Sequence, residues 1–305
     1  MKCIVTGGAG FIGSNLVDRL IDDGHEVIVL DNLSTGFEEN INPKATHFGF
    51  DISHSNVFPS IKTFNLFEGV DAVFHMACLA RVQPSIEDPL LYHNQNVNGV
   101  VNMLELCRIY GVKRFIFSSS SSVYGDAEQV PTTEECKLNP ISPYALHKLI
   151  GEQYCKLYSE LYGIETVSLR YFNVYGERQP TRGQYAPVVG LFIKQKNSGN
   201  PMTVVGDGLQ TRDYTHVSDV VCANIMAAKS DSVDNGEIIN IGCGKNYSVL
   251  ELVEMVGKEL GRPGYIFIPP RVGEVRHTIA DISKANKLLE WLPKVELSTW
   301  IGENK

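Results

Sequence analysis

Apolar residues follow two rhythms along this chain. In the first 170 residues they gather into short unbroken runs: Cys3-Ile4-Val5-Thr6, Val27 to Leu30, Ala72 to His75, Phe115 to Phe117 and Thr166 to Leu169. Runs without alternation predict strands covered on both faces, as in a parallel sheet between two helix layers. Between them apolar positions recur at helical spacing, from Gly13 to Ile21, near Leu90 to Tyr110 and from Pro143 to Tyr162. Strand–helix alternation of this kind predicts an α/β chain with a doubly wound parallel sheet.

The texture changes after about Asn173. Glycine and proline become more frequent, turns such as Gly206-Asp207-Gly208 appear, and helical patterns return near Val217 to Ala228 and Val249 to Leu260 around a strand at Ile238 to Ile241. The expected organisation is a main α/β domain over residues 1–172, completed by an interleaved strand and helix around 216–242. A smaller α/β lobe for substrate takes most of 173–305. No internal repeat or low-complexity linker interrupts either part.

Composition narrows the function. A formal charge of −8 spread over 305 residues lacks the basic face of a nucleic-acid binder. No run of eighteen apolar residues is present, so no membrane span is expected. The first strand begins within three residues of Met1, which leaves no room for a signal peptide and points to the cytoplasm. Seven cysteines, an odd number without a CxxC pair, fit reduced thiols rather than disulfides or zinc ligands, and no metal is expected.

The segment Thr6-Gly7-Gly8-Ala9-Gly10-Phe11-Ile12-Gly13 joins the first strand to the first helix and satisfies GxGxxG at positions 8, 10 and 13. Glycines are needed there because backbone N–H groups must approach a pyrophosphate at a helix N-terminus. Asp31 ends the second strand eighteen residues after Gly13, close to the roughly twenty that a dinucleotide fold requires. Its carboxylate can accept both hydroxyls of an adenosine ribose and would repel a 2′-phosphate. No Arg or Lys stands between Asp31 and Asn42 to favour the phosphorylated cofactor. The expected cofactor is NAD, bound to a Rossmann-type sheet.

Tyr144 and Lys148 lie four residues apart, on one face of the helix that Pro143 opens. A phenol with a reference pKa of about 10 is a poor base, and a neighbouring ammonium favours its ionised form. Five consecutive serines, Ser118 to Ser122, follow the Phe115 to Phe117 strand. At the carboxyl end of a parallel strand they are hydrogen-bonding groups facing a site.

These segments together resemble the extended short-chain dehydrogenase/reductases. The matching motifs are TGGAGFIG at 6–13, HMACLA at 75–80, NQNVNG at 94–99, SSSSSVYGD at 118–126, YALHK at 144–148, RYFNVYG at 170–176 and TRDYTHV at 211–217. Within that superfamily the chain is similar to UDP-sugar 4-epimerases over essentially its whole length. The resemblance implies Tyr144 as base, Lys148 as the residue that lowers its pKa and holds the nicotinamide ribose, and Ser120 as the catalytic serine. It implies a cofactor set of Gly7, Gly10, Phe11, Ile12, Gly13, Asp31, Asn32, Ser34, Thr35, Gly36, Asp51, Ile52, Met76, Ala77, Cys78, Asn96, Ser118, Tyr144, Lys148 and Tyr171. It assigns substrate to Ser120, Tyr144, Asn173, Val188, Thr203, Val205, Arg212, Arg271, Glu274 and Thr278, with the two arginines on the diphosphate and Glu274 on the uridine ribose. Asn96 also suits a buried structural amide, and Arg212 a pairing with Asp213 or Asp219. The chain departs from some relatives at Pro187 and Val205, where those use an amide and an aromatic against uracil.

The implied reaction oxidises the sugar at C4 and returns hydride to the opposite face. Small Thr278 stands where a large tyrosine restricts relatives to sugars with a plain 2-hydroxyl, so N-acetylated UDP-hexoses are expected substrates too. Two other readings stay open. One is a 4,6-dehydratase, or an epimerase or decarboxylase acting on UDP-glucuronate, although the dehydratases' Asp-Glu pair is replaced by Ser121-Ser122. The other is a non-catalytic NAD sensor, which would not need the Tyr144 and Lys148 pair. Relatives dimerise through paired helices as a four-helix bundle, so a homodimer is expected; Val100, Leu104 and Leu157 suit that interface and equally suit packing onto their own sheet.

Overall fold

A computed structural model describes residues 1–181, 186–233, 235–260 and 264–303. Six strands, β1 (Lys2–Thr6), β2 (Glu26–Leu30), β3 (Thr46–Phe48), β4 (Ala72–His75), β5 (Arg114–Ser120) and β6 (Glu165–Tyr171), join the Glu237–Ile241 strand in one seven-stranded sheet. Its order is Glu237–Ile241, β6, β5, β4, β1, β2, β3, and every neighbouring pair is parallel. The expectation of a doubly wound parallel sheet holds.

Burial explains the unbroken apolar runs. Cys3, Ile4 and Val5 of β1 are fully buried, with Cys3 and Val5 facing one core and Ile4 the other. Each such side chain contributes roughly 1.5–3 kcal/mol on leaving water. Helix α1 (Phe11–Asp22) buries Leu16, Val17 and Leu20 on the first core, alongside the Val217–Lys229 helix. Helices α5 (Gly99–Tyr110) and α6 (Pro143–Tyr162) cover the other face. A third core, with Phe192, Val204, Leu252 and Trp300, lies among the elements that follow β6.

The helix expected over Leu90 to Tyr110 is divided. After α2 (Val57–Phe64) and α3 (Val82–Glu87), α4 (Pro89–His93) runs into a π-helical turn at Asn94–Asn98 before α5. Tertiary bonds drawn from that turn and just beyond it account for the break. Asn96 holds both backbone groups of Leu79, Gln95 reaches Asp51, and Asn102 donates to the Ile52 carbonyl.

The strand order reverses between β1 and β4. In open α/β sheets ligands bind in the crevice outside the strand ends at such a reversal.

Candidate active site

One cavity of about 660 Å³ runs across the carboxyl ends of the strands. At one end it is shaped by the turn from β1 to α1. Gly7 has φ +68°, and a Cβ there would stand 2.6 Å from the Ala77 nitrogen. A Cβ on Gly13 would stand 2.1 Å from the Gly7 carbonyl oxygen. Backbone therefore packs directly on backbone. Gly10, the N-cap of α1, leaves the first turn without a side-chain cap. These N–H groups are the donors an anion at a helix N-terminus requires, so the residues present fit a dinucleotide pyrophosphate.

Asp31 is buried beside this turn, accepting from the backbone N–H of Ala9 (2.9 Å) and of Leu33 (2.8 Å) on separate oxygens. Each oxygen keeps a further lone pair for a ribose hydroxyl. Asp51 accepts from the N–H and hydroxyl of Ser53 and from Gln95. Burial acts to raise its carboxyl, but these hydrogen bonds and His54 outweigh it and hold the group below its ordinary value. Phe11, Ile12, Asn32, Ser34, Thr35, Ile52, Met76, Ala77, Cys78, Ser118 and Tyr171 share this wall. Gly36 and Asn96 are not on this wall: Gly36 lies against Ala9, just before the Phe37 N–H that donates to the Ala9 carbonyl, and Asn96 clamps Leu79.

The middle of the cavity belongs to β5 and α6. Ser142 caps α6 by accepting from the Ala145 N–H (3.2 Å), and Pro143 opens the helix. Gly151 lets α6 press on β5, since a Cβ there would meet the Phe117 ring at 2.4 Å. This contact sets Tyr144 and Lys148 over the strand's serine-rich end. Lys148 donates to the Ser118 carbonyl (2.5 Å) and stands 5.9 Å from the Tyr144 ring centre. Burial is the largest influence on the Tyr144 phenol and leaves it above its ordinary value. Lys148, a hydrogen bond with Ser120 and Arg81 all pull the other way. The ammonium thus acts in the expected direction, but burial outweighs it. Burial also works against charge on Lys148, yet Cys78, Tyr144 and Glu152 hold that group above its usual range.

The serines divide their work. Ser120 Oγ accepts from the Ser122 N–H (3.2 Å) and lines the cavity. The Ser119 hydroxyl instead donates to Glu152 (2.5 Å), whose two oxygens also receive Arg170 at 2.8 and 2.7 Å. This pair is almost wholly buried, and Arg170 continues through Tyr124 to Asn240. Removing one partner from such a pair costs about 3–5 kcal/mol because a charge is left unpaired.

At the other end, Asn173, Val188, Thr203, Val205, Arg212, Arg271, Glu274 and Thr278 all face the same cavity. Asn173 donates to the Asp213 carbonyl (3.0 Å) and the Thr278 hydroxyl (3.2 Å). Arg212 does not pair with Asp213 or Asp219. It donates to the carbonyls of Thr211 and Arg276, while Asp213 receives the N–H groups of Cys243, Gly244 and Ala280 and Asp219 those of Lys294 and Val295. Burial holds the Arg212 guanidinium below its ordinary pKa. Arg271 lies 3.9 Å from Glu274.

Sequence reasoning missed Gln95, which fixes Asp51 and Ser53. It also missed Arg81, Gln83 and Tyr92, which line the cavity near Tyr144. The HMACLA motif stops one residue before Arg81, so its edge was the one available signal.

Comparison with known proteins agrees with this geometry. Residues 3–242 match the NAD dependent epimerase/dehydratase family. A putative UDP-glucose 4-epimerase of Methanocaldococcus jannaschii is 44% identical, over 98% of this chain and 95% of its own. The UDP-glucose 4-epimerase of Thermotoga maritima, solved with UDP-glucose, superposes with a TM-score of 0.94 at 40% identity, covering 99% and 96% of the two chains. The Thermus thermophilus UDP-glucose 4-epimerase, solved with NAD, gives 0.91 at 37% identity over 99% and 97%. With its glycine turn, Tyr144 and Lys148 on one cavity, this chain belongs to the NAD dependent epimerase/dehydratase family.

Proposed function

We propose that this protein is an NAD-dependent epimerase that inverts C4 of a UDP-hexose, acting on the glucose and galactose forms and on their N-acetylated counterparts. One observation favours this reading over elimination of water. Among the described residues the carboxylates on the cavity wall are Asp31, Asp51 and Glu274, and none belongs to the serine run or to the first turn of α6. Ser120 and Tyr144 therefore have no acid beside them to protonate a leaving hydroxyl, whereas inversion at C4 needs only a reversible proton acceptor.

Bound NAD supplies a reversible hydride acceptor and positive charge at its nicotinamide ring. Tyr144 takes the proton of the 4-hydroxyl and later returns it. Ser120 donates a hydrogen bond to O4 as that oxygen gains carbonyl character. Lys148, anchored on Ser118, supports the ionised phenol. Arg212 and Arg271 hold the diphosphate while the sugar turns, Asn173 assists them, and Glu274 receives the uridine ribose. Asp31 and Asp51 take the adenosine end of the cofactor. We assign cofactor binding chiefly to residues 1–172 with the interleaved 216–242 segment, and substrate binding chiefly to 173–305. A cytoplasmic location is part of this proposal; among the described residues no helix is long and apolar enough to cross a membrane.

Incubation with UDP-glucose, UDP-galactose, UDP-N-acetylglucosamine and UDP-glucuronate, with products read by NMR, tests the reaction class. Interconverted C4 epimers are expected, with turnover nearly abolished by Tyr144→Phe and slowed on the order of 10²–10³ by Ser120→Ala. A deoxy-keto product, or activity within a few-fold of normal in Tyr144→Phe, refutes the assignment.

The protein also pairs with a second copy through α5 and α6. Val100 and Leu104 are packed on their own sheet and cannot serve there, but Ile109, Leu157, Leu161 and Tyr162 are exposed on the same two helices. Sedimentation should give a dimer at micromolar concentration, and a monomer that persists there removes this part of the reading.

A further inference from the structure

Among the described residues, three of the four cations on the cavity wall have partners. Lys148 donates to the Ser118 carbonyl, Arg212 to those of Thr211 and Arg276, and Arg271 faces Glu274. The fourth is Arg81. It is half-buried and lines the cavity, and among the described residues its side chain makes no hydrogen bond or ion pair.

The backbone fixes where Arg81 stands. It precedes α3 in an extended conformation (φ −136°), and its carbonyl accepts from the Ser85 N–H at 3.3 Å. The fully buried Ser85 hydroxyl accepts in turn from the N–H of Tyr144 at 3.1 Å. One helical turn thus ties Arg81 to the start of the helix that carries the proposed base. The groups that respond to its charge are the phenols of Tyr144 and Tyr92. The cavity's carboxylates are engaged elsewhere, Asp31 by Ala9 and Leu33, Asp51 by Ser53 and Gln95, and Glu274 by Arg271.

A guanidinium partly withdrawn from water and left unpaired is costly unless a ligand brings the anion. On the reading above, Tyr144 marks C4 of the sugar, and C6 lies two bonds from C4 through C5. A hydroxymethyl group at C6 offers Arg81 only a neutral acceptor. A carboxylate there matches the planar fork with two charge-assisted hydrogen bonds. We propose that Arg81 receives the C6 carboxylate of the sugar, so that UDP-hexuronates join the UDP-hexoses named above as substrates of this site and are favoured over them. The inference rests on the C4-epimerase reading and is independent of Thr278, which concerns C2.

Measuring kcat/KM for UDP-glucuronate and UDP-glucose on the NAD-loaded enzyme and on Arg81→Gln tests it, with calorimetric binding of both nucleotides as a second arm. UDP-glucuronate should be favoured about 10- to 100-fold by the unaltered enzyme, the scale of a charge-assisted hydrogen bond lost or gained, and Arg81→Gln should erase that ratio. The diphosphate is common to both nucleotides, so an equal loss on both would place Arg81 on the phosphates and overturn the proposal. Epimerisation of UDP-glucose without action on UDP-glucuronate would overturn it too. Should neither sugar be epimerised, the C4 reading fails by itself. The binding arm still judges Arg81: tighter binding of the uronate that vanishes in Arg81→Gln supports it, and equal affinities refute it.

Discussion

The two ends of the cavity are built on different principles. At the cofactor end the wall is built around the turn from β1 to α1, whose dimensions are set by how closely peptide groups approach. Gly7 and Gly13 have no room for a Cβ, and Asp31 is held by two backbone N–H groups. At the substrate end the wall is side chains drawn from separate segments: Arg81, Asn173, Arg212, Arg271 and Thr278. Backbone packing tolerates almost nothing because it cannot change rotamer, whereas a wall of side chains can be retuned one residue at a time. On the proposed assignment, the cofactor end fixes the chemistry and the substrate end decides which sugar receives it.

The largest effect should come from the backbone end. Gly13→Ala would push a Cβ to 2.1 Å from the Gly7 oxygen, and relief requires moving the turn itself. The expected result is loss of retained NAD and a fall in turnover of at least about 10³-fold, since misplacing reacting groups by about an ångström already costs roughly 10²-fold. Far-ultraviolet circular dichroism should remain that of a folded protein. Normal NAD content in this variant would contradict the rigidity claimed for the turn.

The same division explains what was legible in the sequence. The β1 turn, its helix and Asp31 could be read because sterics dictate residue type at fixed spacing, and the unbroken apolar runs marked a parallel, doubly wound sheet, but neither its strand order nor the short edge strand β3 was legible in them. The pairing of Tyr144 with Lys148 was legible from helical periodicity, but the net direction of the phenol's pKa was not. That direction depends on burial, which no local pattern encodes. Gln95 acts on Asp51 across 44 positions, and Arg170 meets Glu152 across 18, so neither contact leaves a local signature. Asn96 shows the reverse case. Its motif was visible, yet its side chain serves the Leu79 backbone behind the wall rather than the cavity.

Thr278 offers the smaller test, on the wall that can be retuned. Its hydroxyl accepts from the Asn173 amide and from the Asp213 N–H, both at 3.2 Å, so it is anchored and cannot turn freely. Thr278→Tyr does two things. It fills space beside the sugar, which should penalise a 2-acetamido group by roughly 1–3 kcal/mol, or one to two decades in specificity. It also removes the acceptor that steadies Asn173, which affects every UDP-sugar alike. Thr278→Ser separates the two, because it keeps the acceptor without adding bulk. The kcat/KM ratio of UDP-N-acetylglucosamine to UDP-glucose should fall about 10- to 100-fold in the tyrosine variant and stay within about three-fold of its original value in the serine variant, on the same steric reasoning. If the tyrosine variant lowers both sugars by the same factor, Thr278 is an anchor for Asn173 and not a gate at C2.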